Sequence, residues 1–117
     1  MTTELVEGVC VSKLAKGSFI DLGTKSRHYQ IECLGGDLVR VSGHPKWCPT
    51  PVEAKFEGSI GNSSIEPGFA TTGLRAVFRR LHDRLPVTTS EITDIHLECP
   101  NPLHQVVDGF RRFLARH

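Results

Sequence analysis

Cys33, His44 and Cys48 are the residues whose types and spacing come nearest to chemistry. Thiolate and imidazole are favoured zinc ligands, and a hairpin after residue 33 would bring Cys33 back towards the loop carrying the other two. A structural zinc site needs a fourth ligand, which would have to come from Cys10, Cys99, His28 or another distant group, and the paired C-x-x-C knuckle is missing. The plainer reading is that Cys33 alternates with core residues and His44 precedes a proline in a loop. His44 and Cys48 also admit a base and a nucleophile, since an imidazole within hydrogen-bond reach raises the thiolate fraction, but proximity across a proline does not supply that geometry. Zinc, and with it a metal- or thiol-dependent enzyme, is therefore a secondary expectation.

Two other groups of residues point to recognition rather than catalysis. Trp47, the only tryptophan, stands among Pro45, Lys46 and Pro49 in a stiff loop. A rigid aromatic costs little entropy to immobilise against a partner, although a large apolar side chain in a short loop more often folds back over the core. Arg75, Arg79, Arg80 and Arg84 form the densest basic patch, able to grip carboxylate or phosphate through paired N–H donors. Seven of the nine arginines lie from Arg75 onward, while all five lysines precede it. The aromatic interleaving of a single-strand nucleic-acid platform is missing, so nucleic acid is a minority reading.

Exclusions narrow the field further. There is no P-loop, dinucleotide glycine fingerprint, H-E-x-x-H or G-x-S-x-G. Gly35-Gly36-Asp37 joins two strands rather than opening a helix, so it reads as a turn and not a phosphate loop. A formal charge of +1 gives too weak an overall field to predict attraction to nucleic acid or an anionic membrane. No stretch approaches a membrane span, the opening MTTELVEG lacks the pattern of a signal peptide, and four scattered cysteines read as reduced thiols. A cytoplasmic protein that binds no membrane is the expectation.

The elements that must position these residues are mostly strands. Residues 4–13 are β-branched and broken by Gly8; Phe19–Leu22 is a short strand. Tyr29, Ile31 and Cys33 alternate with His28, Gln30 and Glu32, and Val39 and Val41 follow the glycine turn, so a hairpin spans 28–42. The proline-rich segment 43–51 must be loop. Val52, Ala54 and Phe56 alternate with charges, after which Gly58–Gly68 reads mostly as loop. Residues 73–97 fit helical or strand spacing, with a hairpin turning at His82-Asp83 preferred. From Asn101 and Pro102, the stripe Leu103, Val106, Val107, Phe110, Phe113 and Leu114 predicts an amphipathic helix over 102–116.

The resulting expectation is one domain over residues 1–117: mainly β (α+β), a small antiparallel β-barrel or bent sheet of five to seven strands over 4–97, with one C-terminal amphipathic helix across an open end. The preferred function is a non-enzymatic binding or adaptor module for a protein partner, using His44, Lys46, Trp47 and Cys48 in the loop and Arg75, Arg79 and Arg80 in the hairpin. The wide apolar stripe of the terminal helix suggests a homo-oligomer formed through it.

Overall fold

The computed structural model describes residues 3–61, 64–99 and 111–113. Among them are ten strands and one 3-10 turn: β1 (Thr3–Cys10), the turn Val11–Lys13, β2 (Phe19–Thr24), β3 (His28–Gly35), β4 (Leu38–Ser42), β5 (Val52–Gly61), β6 (Ser64–Pro67), β7 (Phe69–Thr71), β8 (Arg75–Arg80), β9 (Pro86–Glu98) and β10 (Arg111–Phe113). The protein is mainly antiparallel β, and no helix among the described residues is long and apolar enough to cross a membrane.

Alternation of apolar and polar residues sets each strand's buried face. Ile31 in β3 lies opposite Ile20 on one side and Val41 on the other, and Leu22 lies opposite Tyr29 and Ile95. A slip of one residue would turn every one of these side chains outward, so the pattern fixes the register. β9 is long enough to take β2 along one edge and β8, then β1, along the other. The pairings β9–β2, β2–β3, β3–β4, β4–β5, β5–β8 and β8–β9 therefore return to their starting strand. Ile20, Val39, Phe56, Phe78 and Leu97 from these strands share one buried cluster.

Several expectations change. The first strand ends at Cys10, where Val11–Lys13 winds into the 3-10 turn. Within the stretch 58–68, expected as loop, Gly58–Gly61 instead extend β5 and Ser64–Pro67 form β6. Gly58 makes this possible: its φ of 140° is denied to other residues, a side chain there would strike the Glu66 carbonyl, and the β5–β8 register shifts between Phe56 and Gly58. Residues 73–97 form the β8–β9 hairpin.

The helix expected over 102–116 is corrected at Arg111–Phe113, which are strand and pair with the free edge of β1, Val6 against Phe113 and Val9 against Arg111. An open edge offers unpaired backbone donors and acceptors, and pairing satisfies them where helical spacing alone would not. The remainder of that expected helix, and the oligomer contact proposed for it, lies outside the described residues.

Candidate functional site

The proline-rich loop closes on itself. The Gly43 amide donates to the Cys48 carbonyl at 2.9 Å and the Cys48 amide to the His44 carbonyl at 3.1 Å. The imidazole of His44 turns inward on this loop, its Nδ1 accepting from the amides of Lys46 at 3.0 Å and Trp47 at 3.4 Å. Trp47 lies half-buried against the core, its ring centroid 5.7 Å from that of Phe78. Lys46 is exposed, while Cys48 is fully buried. Burial pushes the Cys48 thiol above its ordinary value, the opposite of what a nucleophile needs.

Cys33 is held elsewhere. It lies opposite Val39 in the β3–β4 ladder, and burial, with Cys99 and Glu32 adding to it, pushes its thiol up to about 12. Among the described residues, no group of three or more His, Cys, Asp or Glu is placed to hold a metal ion. All four cysteines are buried.

Two acceptor bonds at Nδ1 require that nitrogen to be unprotonated, and the basicity of His44 is lowered by burial first and then by the charges of Arg27 and Lys46. The folded state thus binds fewer protons than the unfolded chain as pH falls through the ordinary histidine value of 6.5, and stability must fall with it. We expect Trp47 emission to move to longer wavelength as pH falls below the ordinary histidine value of 6.5, with no such transition in a His44→Gln variant. An emission that stays flat as pH falls contradicts the role given to Nδ1.

The arginine hairpin is different in kind. Alternation along β8 sends Arg75, Val77 and Arg79 outward and Ala76 and Phe78 inward. Arg79 sits opposite Lys55 of β5, and Arg80 opposite Ala54. Arg79 is fixed on both sides: Nε donates to Glu57 Oε2 at 3.0 Å and Nη1 to the Arg84 carbonyl at 2.8 Å. Arg80 meets Asp83 at 2.9 Å, while its buried Nε has no hydrogen-bond partner. At the tip Arg84 has the one positive φ, 63°, of any described residue other than glycine, and its amide donates to the Arg80 carbonyl. Arg75, at the far end of β8 opposite Ile60 and Glu91, stands apart from this group.

Two grooves meet at the Glu57–Arg79 pair. One, of about 360 Å³, is lined by Lys55, Glu57, Arg79, Arg80, Leu81 and Arg84, with Glu57 its sole acid. The other, of about 430 Å³, shares Glu57 and Arg79 and carries Glu66 on its wall, the rest of which is largely the apolar residues Ile60, Ile65, Pro67 and Val77. Neither Lys55 nor Arg84 forms an ion pair among the described residues, and like charges directly opposite each other, as Lys55 and Arg79 are, weaken a ladder. The sequence reading found Arg79 and Arg80 but not Lys55, Glu57 or the apolar groove. Lys55 does alternate outward in its strand; that it faces Arg79 depends on a β5–β8 register displaced by a bulge, which local pattern does not reveal.

No family model, curated protein or solved structure matches this chain, so the chemistry of the paired grooves is what points to a function.

Proposed function

We propose that this chain is a small β-barrel binding module of the cytoplasm that grips an extended, acidic segment of a protein partner at the β8–β9 hairpin. The partner's carboxylates lie in the basic groove and an apolar side chain enters the groove beside it. One observation carries this reading: an apolar and a basic groove adjoin across a single fixed ion pair, Glu57–Arg79. An extended chain alternates its side chains, so neighbouring grooves of unlike character suit a segment in which acidic and apolar residues alternate. Arginine held by two contacts before the partner arrives loses little further entropy on binding. The unpaired Lys55 and Arg84 supply the attraction that steers a negatively charged chain inward. The proline-rich loop is the weaker surface in this proposal, because its tryptophan packs against Phe78.

The reading is tested by the fluorescence anisotropy of a labelled peptide alternating glutamate and leucine. We expect saturable binding that weakens about tenfold from low to physiological salt, and none for the same peptide with lysine in place of glutamate. Equal binding of the two peptides overturns the proposal. Tighter binding of a single-stranded oligonucleotide than of the acidic peptide would turn the reading towards nucleic acid.

A further inference from the structure

We propose that this chain also recognises a second copy of itself, the tip of its β8–β9 hairpin, residues 81–85, seating in a groove on the outer face of β2, β3 and β9 of the other copy. This rests on the hairpin being the recognition element. The receiving groove, of about 310 Å³, is lined by Phe19, Asp21, Gln30, His96 and Glu98 and contains no lysine or arginine. Glu98 forms no ion pair among the described residues, and Phe19 is 42% exposed beside it. Leu5, in register with His96 and itself exposed, extends the apolar rim.

The hairpin tip carries the complementary features. Leu81 and Leu85 are exposed, Leu85 by 54%, and the unpaired Arg84 stands between them. Five large hydrophobic side chains are exposed among the described residues; Leu5 and Phe19 belong to the acidic groove, Leu81 and Leu85 to the basic tip, and Ile65 to the apolar groove near the hairpin. Exposed apolar side chains thus gather beside unpaired charge of opposite sign on two separate surfaces. The tip enters β9 at Pro86, whereas the groove lies at that strand's other end, at His96 and Glu98, ten and twelve residues on, roughly 30 Å or more of extended chain away. They meet only between copies, head to tail, with Arg84 against Glu98 and the leucines against Phe19. Such a contact uses two different patches, and therefore grows into chains unless a ring closes.

The test is sedimentation equilibrium of the wild type, of Glu98→Lys, of Arg84→Glu and of an equimolar mixture of the two variants, across a dilution series. Reversible self-association is expected for the wild type, weakened about tenfold or more in each variant alone. The mixture recovers it, because each variant's tip then finds a groove of opposite charge on the other. A wild type that is monomeric throughout overturns the inference, and if it still binds the acidic peptide, the proposed function stands without it. Variants that associate as well as the wild type, or a mixture that does not recover, also overturn it.

Discussion

Replacing Phe78 by alanine is expected to destabilise the protein by about 3–5 kcal/mol, at least about a fifth of the ordinary stability of a domain this size. Phe78 is fully buried and is the largest such side chain. Its ring is the centre of an aromatic group: Phe56 meets it edge-on at 5.4 Å, Trp47 at 5.7 Å and Tyr29 at 6.3 Å. Those three come from β5, the proline-rich loop and β3, so one deletion removes contacts that join separate parts of the ring. The loss combines the transfer term for the ring, the cavity left behind and the aromatic pair geometry, the last worth about 0.5–1.5 kcal/mol for each pair. Urea unfolding followed by circular dichroism measures it. A loss under about 1 kcal/mol would show that the surrounding rings collapse into the space, and that this cluster does not hold the strands together.

Reversing Arg79 to glutamate is expected to weaken binding of the acidic peptide by about thirtyfold or more, the effect of losing roughly 2 kcal/mol at a central charged contact. Arg79 borders both grooves, so its reversal removes a cation from the basic groove and places a repelling carboxylate at the apolar one. It also sets two acids against each other where Arg79 now meets Glu57 at 3.0 Å. Both partners of that pair are more than a third exposed, so the stability change is small, within about 1 kcal/mol. The exchanged double variant, Glu57→Arg with Arg79→Glu, restores the pair and the groove's net charge, and most of the affinity should return. Unchanged affinity in the single variant would exclude Arg79 from the contact.

The strands were legible where burial on one face imposes a period of two. Tyr29, Ile31 and Cys33, and then Val39 and Val41, show this directly, and the hairpin they predict is β3–β4. The pattern fails where a bulge interrupts it: around Gly58 the sequence Gly-Ser-Ile-Gly reads as loop, yet it continues β5 because only glycine accepts the φ that lets the strand bend past Glu66 and Pro67. At Arg111–Phe113, an apolar stripe with helical spacing carried no mark of the β1 edge it pairs with, because an edge in need of partners is a property of the assembled sheet. The candidate site divides in the same way. Four arginines close in sequence announced a basic surface, but the groove depends on Lys55 and Glu57, some twenty residues away and brought there by cross-strand register. The spacing of Cys33, His44 and Cys48 suggested a shared site, whereas strand direction buries Cys33 in the β3–β4 ladder and the tight loop keeps His44 Nδ1 for its own backbone.

The paired grooves are tested most directly by amide chemical-shift changes during titration with the glutamate–leucine peptide. The largest changes are predicted at Lys55, Glu57, Ile60, Val77, Arg79 and Arg84, with the loop from His44 to Cys48 nearly still. Changes centred on Lys46 and Trp47, with β5 and β8 unaffected, would contradict the assignment of recognition to the hairpin.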